Sequence, residues 1–159
     1  MGSRSALEIS RKALKLMTSE ATFNRNLDRV TILSSGDGRL TAEMLVQREH
    51  LNRRGTLHGG LACTLVDIMS NLAFLSSRSV DEMAFPGVSV DLNVSFLSPV
   101  AEGETILVTA TTLRQGKRLA FLSVDIMNKS RNQMAAVGRH VLAVDPRLPP
   151  LQQQQPSSA

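Results

Sequence analysis

The stretch that decides the fold is residues 57–77, LHGGLACTLVDIMSNLAFLSS. Its apolar side chains cover most of the surface of a helix, which is typical of a helix buried inside a protein. At about 100° per residue, its polar or small exceptions fall on one narrow stripe. They are Gly60, Thr64, Asp67 and Asn71. The stretch therefore predicts a buried helix whose stripe faces a cleft, a partner or water.

Strand-like segments stand on both sides of this helix. They are residues 30–33, 39–47, 88–96, 105–113, 119–127 and 134–144. In residues 88–96 apolar and polar side chains alternate, as in a half-buried strand. Short turns between the later strands require antiparallel neighbours. We predict an α+β fold in which a curved antiparallel sheet wraps the long central helix, and the uncovered sheet edges favour an oligomer.

The chain has 159 residues, a length that predicts one domain. Residues 1–28 are predicted to be an N-terminal helical segment, since apolar side chains recur at helical spacing there. The main domain spans residues 29–145. Residues 146–159 are rich in proline and glutamine, and we expect a disordered tail.

Composition narrows the function classes. The single cysteine, Cys63, excludes a disulfide framework and indicates a reducing compartment. No uncharged run reaches about 18 residues, so no transmembrane segment is expected. A net charge of +4 suits an anionic partner, but the absence of Trp and Tyr disfavours nucleic acid. We expect a cytoplasmic protein; a basic, serine-containing N-terminus keeps a mitochondrial location as the alternative.

Two glycines, Gly59 and Gly60, open the predicted helix. Backbone N–H groups at a helix start are unpaired and carry the positive end of the helix dipole. Without a Cβ, these residues would let a carbonyl oxygen approach the donors, as in an oxyanion hole. A tight turn from loop to helix is the alternative. Asn52, just upstream, is either a turn residue or a second donor to the carbonyl.

Asp67 is a carboxylate inside an apolar helix, where it needs a partner or a wet cleft. It is a candidate general base, and a solvated helix face is the alternative. His58 lies nine residues earlier, which is about 900° of rotation and about 13 Å of rise, so the two cannot meet at one small reacting group. If both act in one site, Asp67 comes from a second copy. A catalytic interpretation therefore predicts a dimer with sites at the interface.

Several motifs occur together in the chain. They are Asn52, Gly55-Thr56-Leu57-His58-Gly59-Gly60, Asp67, Gly87-Val88-Ser89-Val90-Asp91, Ser98-Pro99, Gln115-Gly116-Lys117 and Gly138-Arg139-His140. With these motifs, residues 10–142 resemble the hotdog-fold acyl-coenzyme A thioesterases of the PaaI-like branch. The resemblance implies the hotdog fold, homodimers or homotetramers, and hydrolysis of medium- to long-chain fatty acyl-CoA. It implies no metal and no cofactor, since CoA is part of the substrate.

The resemblance also implies residue roles. The Gly59 N–H and Asn52 would polarise the thioester carbonyl. Asp67 of the facing subunit would activate water with help from Ser89, and His58 would orient the loop and Asn52. Two segments would hold CoA. They are Phe96, Leu97, Ser98, Pro99, Val100 and Ala101, and Arg114, Gln115, Gly116, Lys117, Arg118 and Leu119.

Alternatives remain at two levels. The cations Arg114, Lys117 and Arg118 suit phosphates, but they also suit an ordinary charged hairpin tip. For the whole chain, a non-catalytic module that binds acyl-CoA or a partner is the main competitor. A hydratase is the other; such enzymes pair Asp with His, whereas His58 and Asp67 face apart here.

Overall fold

The computed structural model describes residues 5–19, 22–77 and 87–144. In chain order the elements are α1 (Ala6–Ser19), a 3₁₀ helix (Phe23–Leu27), β1 (Thr31–Gly36), β2 (Arg39–Leu45), a second 3₁₀ helix (Arg48–His50), α2 (Gly59–Ser76), β3 (Val88–Phe96), β4 (Thr105–Gln115), β5 (Leu119–Asn128) and β6 (Gln133–Ala143). The predicted tail, residues 146–159, lies outside the described residues, so its disorder stays a prediction.

The six strands form one antiparallel sheet in the order β1-β2-β4-β5-β6-β3. Chain neighbours pair through short turns, whereas β3 follows α2 and lies at the edge beside β6. Register shifts interrupt four of the five strand pairs, and such irregularities bend strands. The predicted α+β hotdog architecture, a long helix packed against a curved antiparallel sheet, is confirmed.

Helix α2 packs along the inner face of the sheet. Its buried side chains include Leu65, Val66, Met69 and Leu72, each with no exposed surface. Gly138 on β6 allows the close approach, because a Cβ there would lie 2.6 Å from both γ-carbons of Val66. By length and composition α2 could cross a membrane, but 67% of it is buried inside the fold. It is therefore placed as the core helix.

Helix α1 packs onto the same core. Ala13 and Leu14 join the buried cluster. The Arg11 guanidinium donates to the Ile32 carbonyl oxygen at 3.1 and 2.9 Å, which fixes α1 beside β1. The predicted helical segment near the N-terminus is thus helical over Ala6–Ser19 and anchored to the sheet.

The turn after β1 and the start of α2 each have a local cause. The residues Ser35-Gly36-Asp37-Gly38 are a hairpin signal in the sequence, and in the structure Asp37 and Gly38 form a two-residue turn with φ of 49° and 75°, as a type I′ turn requires. The long helix begins at Gly59 rather than at Leu57, because His58 keeps an extended backbone and caps it.

Candidate active site

The start of α2 leaves one backbone donor unused. The His58 imidazole Nδ1 accepts the Gly60 N–H at 2.9 Å. The His58 carbonyl oxygen accepts from the Leu61 N–H at 3.0 Å, and the His58 N–H donates to the His50 carbonyl oxygen at 2.8 Å. These bonds satisfy three of the four N–H groups that a helix start leaves without helical acceptors. Among the described residues, the Gly59 N–H has no acceptor, and it is therefore the donor available to a ligand.

The two glycines serve different purposes. A Cβ on Gly60 would lie 3.0 Å from His58 Nδ1 and would crowd the helix cap. A Cβ on Gly59 would lie 3.4 Å from the Phe96 ring. Gly60 therefore permits the cap, whereas Gly59 presents its amide beside an aromatic wall. The sequence alone does not distinguish these two roles, and both glycines are predicted from it to expose donors.

Asn52 holds the loop that precedes α2. Its Oδ1 accepts the Arg54 N–H at 2.8 Å and the Thr56 N–H at 3.3 Å. Its Nδ2 donates to Thr56 Oγ1 at 3.0 Å. The turn role is thus present. Because an amide NH₂ has two hydrogens, one donor remains for a ligand. The part of the chain that the structure describes contains no hydrogen bond between His58 and Asn52.

Asn52 and Gly59 line an open pocket of about 340 Å³, which we call the Gly59 pocket. The segment Phe96–Val100 forms one of its walls. The Leu57 N–H donates to the Val100 carbonyl oxygen at 2.8 Å, so this wall is tied to the glycine loop. Among the described lining residues, the only charged one is Arg54, which sequence analysis had not assigned to the site.

Asp67 lies further along α2 with its side chain 38% exposed. Its Oδ1 accepts from Asn71 Nδ2 at 3.0 Å and from the Ser89 hydroxyl at 3.4 Å. No described residue donates to Oδ2. One carboxylate oxygen is therefore held in place while the other is open to a ligand or water.

A buried histidine supports this carboxylate, and sequence analysis assigned it no role. The His140 ring has no exposed surface and lies between two serines. Its Nδ1 is 2.7 Å from Ser70 Oγ, and its Nε2 is 2.9 Å from Ser89 Oγ and 3.8 Å from Asp67 Oδ1. Burial lowers the pKa of His140, although the charges of Asp67 and Asp91 oppose this. The signal in the sequence was its position on the inward face of β6.

The tautomer of His140 sets the direction of these hydrogen bonds. With the proton on Nδ1, the ring donates to Ser70, whose hydroxyl donates to the Asp67 carbonyl oxygen at 2.9 Å, and Ser89 donates to Nε2. With the proton on Nε2, the ring donates to Ser89. The Ser89 hydroxyl is then free to donate to the Asp67 carboxylate. A neutral ring can adopt either arrangement.

One protomer does not bring the two halves of the predicted site together. Gly59 and Asp67 are eight residues apart on α2, which is about 12 Å of rise. Ser89 and Phe96 lie near opposite ends of β3, paired with Leu142 and Ala136 respectively. Gly59 and Asn52, predicted to bind the carbonyl, therefore lie at one end of the sheet, and Asp67 and Ser89 lie at the other.

The two predicted CoA segments are separated in the same way. The segment from Phe96 to Ala101 adjoins the Gly59 pocket. The turn from Arg114 to Leu119 lies at the other end, because Leu119 pairs with Ala143, which pairs with Val88. All six residues of that turn are exposed. The described residues contain no cluster of three or more His, Cys, Asp or Glu side chains that could hold a metal ion.

Comparisons with known proteins agree with this architecture. A family model described as "Thioesterase superfamily" matches residues 54–135. Human acyl-coenzyme A thioesterase 13 is 47% identical over 130 residues, which cover 82% of this chain and 90% of the human protein. The crystal structure of zebrafish thioesterase superfamily member 2 has a TM-score of 0.82 at 40% identity and covers 90% of this chain and 100% of its own.

The structure of thioesterase superfamily member 2 from Mus musculus is also similar, with a TM-score of 0.80 at 42% identity, covering 89% of this chain and 99% of the mouse chain. Each of these relatives matches more than four-fifths of this chain. The resemblance that the motifs indicated is confirmed. The chain belongs to the thioesterase superfamily.

Proposed function

We propose that this protein hydrolyses fatty acyl-CoA, of medium to long chain, to a free fatty acid and CoA. The observation that carries the proposal is the unpaired Gly59 N–H at the positive end of α2, in a pocket large enough for a thioester. The relative that is 47% identical is named an acyl-coenzyme A thioesterase, which supports the same substrate class here.

The active form in this proposal is a dimer paired through β3. This strand is a sheet edge, and it exposes Val88, Val90 and Phe96 by 49%, 61% and 60%. An exposed apolar edge is normally covered. Antiparallel pairing of two β3 strands about a two-fold axis at mid-strand sets the Ser89 end of one copy beside the Phe96 end of the other. The two half-sites then meet across the interface.

In such a site the reaction needs only side chains, backbone and water. The carbonyl oxygen accepts from the Gly59 N–H and from Asn52 Nδ2. Asp67 of the second copy takes a proton from water as the water oxygen attacks the carbonyl carbon. The Gly59 and Asn52 donors stabilise the oxyanion that forms. When the carbon–sulfur bond breaks, the proton passes to the CoA thiolate, and the fatty acid leaves.

The same pairing unites the CoA segments. The Phe96–Val100 wall of one copy would hold the pantetheine arm. Arg114, Lys117 and Arg118 of the other copy would meet the phosphates, since guanidinium groups bind phosphate in a bidentate manner. Arg54 adds a cation at the pocket itself. No further cofactor has a role in this proposal.

Thiol release from a panel of acyl-CoA substrates tests the activity. We expect turnover by the wild type and a loss of at least about 100-fold in kcat for Asp67→Asn, as for a missing general base. Asp125→Asn is the matched control, because Asp125 is an exposed aspartate on β5 with no assigned role. Tight acyl-CoA binding without turnover would instead establish the non-catalytic module, and enoyl hydration would establish the hydratase.

Mixing two inactive variants tests the shared site. Asp67→Asn and Asn52→Ala are unfolded and refolded together at equal concentration. Half of the dimers are then mixed, and each mixed dimer has one site with both defects and one site with neither. We expect recovery of about a quarter of the wild-type activity. Recovery of none, with mixed dimers present, would contradict a site built from two copies.

A further inference from the structure

A second cavity, of about 220 Å³, lies beside the start of α2. We call it the Leu61 cavity. Leu51, Leu61 and the Phe23 ring supply its apolar lining. Leu61 is buried, with 7% of its surface exposed, whereas Phe23 is 68% exposed. Polar side chains complete the lining, namely Asn26, Glu49, His50 and His58. The cavity thus combines an apolar part, formed by the two leucines and the Phe23 ring, with a polar part.

The loop that presents the Gly59 amide lines both cavities. Asn52 and Gly59 line the Gly59 pocket, while their chain neighbours Leu51 and Gly60 line the Leu61 cavity. His58, which sets the position of the amide, also lines the Leu61 cavity. A group bound at the Gly59 N–H therefore lies in the Gly59 pocket with the Leu61 cavity next to it.

A thioester has two groups that two neighbouring cavities would hold. Its carbonyl carbon bears the sulfur and the CoA arm on one side and the acyl chain on the other. The Gly59 pocket is bounded by the segment assigned to CoA, so the CoA arm occupies that side. Resting on the proposed function, we infer that the Leu61 cavity receives the acyl chain, and that Leu51 and Phe23 determine the chain length.

The volume of the Leu61 cavity limits how many carbon atoms of the acyl chain it can hold. An apolar cavity of about 150 Å³ accommodates benzene, so about 220 Å³ has room for roughly eight or nine carbon atoms. Further methylenes would pass over the exposed Phe23 ring and cover it. Because each methylene removed from water strengthens binding, we expect medium chains to gain most of their affinity from the cavity and longer chains to gain only what contact with Phe23 adds.

Two substitutions test this assignment with kcat/KM for butyryl-, octanoyl-, dodecanoyl- and palmitoyl-CoA. Leu51→Phe partly fills the cavity, and we expect the dodecanoyl-to-butyryl ratio of kcat/KM to fall at least about tenfold. Phe23→Ala alters only an exposed side chain. We expect it to lower the palmitoyl-to-octanoyl ratio roughly threefold to tenfold.

The matched control is Thr18→Phe. Thr18 lines a separate cavity between α1 and β1, which none of the proposed substrate contacts share. It should leave every ratio within about twofold of the wild type. Folded Leu51→Phe and Phe23→Ala proteins with unchanged chain-length profiles would overturn the inference.

A binding measurement separates this inference from the proposed function. Calorimetry with butyl-CoA and dodecyl-CoA thioethers, which cannot be hydrolysed, reports the cavity without turnover. Preference for the dodecyl thioether that Leu51→Phe reduces at least about tenfold, in a protein without turnover, would uphold the cavity and reject the thioesterase. Turnover by the wild type, together with an unchanged thioether preference in Leu51→Phe, would uphold the thioesterase and reject the assignment of the cavity.

Discussion

Ser89 on β3 and His140 on the neighbouring strand β6 are in side-chain contact, with Ser89 Oγ 2.9 Å from His140 Nε2. This contact joins a fully buried ring to an exposed serine that lies 3.4 Å from the Asp67 carboxylate. On the other side of the ring, Ser70 connects back to the helix that carries Asp67. The candidate base therefore rests on a hydrogen-bond chain anchored in the core.

Replacing His140 should lower kcat more than it raises KM. His140→Ala removes the support of Ser89, and we expect kcat to fall roughly tenfold, as for a loosened general base. His140→Gln can still bond to a serine and should recover part of the loss. Steady-state kinetics with one acyl-CoA distinguishes the effects. A rise in KM with unchanged kcat would show that His140 affects binding instead.

His140 should also make stability depend on pH. Burial lowers the pKa of its ring in the folded protein, while the unfolded chain titrates near about 6.5. Between these values the unfolded state binds more protons, so the free energy of unfolding rises with pH. The contribution of the neutral His140 ring to the free energy of unfolding is therefore fully present above about pH 6.5. It is lost as the pH falls from there through the lowered pKa of the folded protein. Urea unfolding at several pH values measures the slope, which His140→Gln should reduce. An equal slope in both proteins would exclude His140 as the source.

The helix cap gives a prediction about stability. His58→Ala removes the acceptor of the Gly60 N–H and should reduce the free energy of unfolding by about 1 kcal/mol. It should also lower activity, because a freed Gly60 N–H loosens the Gly59 loop. His58→Asn supplies a side-chain oxygen at the same cap and should retain most stability. Equal losses for Ala and Asn in urea unfolding would argue against the cap as the role of this ring.

Gly138→Ala should destabilise the fold through a clash with Val66. The added Cβ would lie 2.6 Å from the valine methyl groups, so α2 or β6 must shift. Overpacking of this kind costs about 1–3 kcal/mol. Gly36→Ala is the matched control, since a Cβ there meets nothing within 4 Å. Thermal unfolding compares the two, and similar melting temperatures would contradict the close packing of helix and sheet.

A charge on the β3 edge should separate the proposed dimer. Val90→Lys places an ammonium on this edge strand, and we expect monomers with activity reduced at least about tenfold, because each site loses its second half. Leu33→Lys on β1, at the opposite edge, is the control. Sedimentation velocity and thiol release are the measurements. A fully active Val90→Lys monomer would show that one copy forms a complete site.

The sequence predicted the elements well because their signals are local. Apolar side chains over most of the helix surface in residues 57–77 indicate a buried helix. Alternating apolar and polar side chains in residues 88–96 indicate a strand, and Asp37-Gly38 indicates a hairpin. The helix-start glycines and Asp67 were likewise recognisable as unusual in an apolar segment. Their separation along α2 followed from helix geometry alone.

The sequence by itself determined the helix, the strands, the glycine turn and the distance between Gly59 and Asp67, since these depend on the period of the backbone and on near neighbours. Only the tertiary structure decided which amide stays unpaired and that His140 supports Ser89 from a position 51 residues away. Contacts of that kind depend on which strands become neighbours in the sheet. Strand order is set by packing of the whole core, and no local pattern in the chain encodes it.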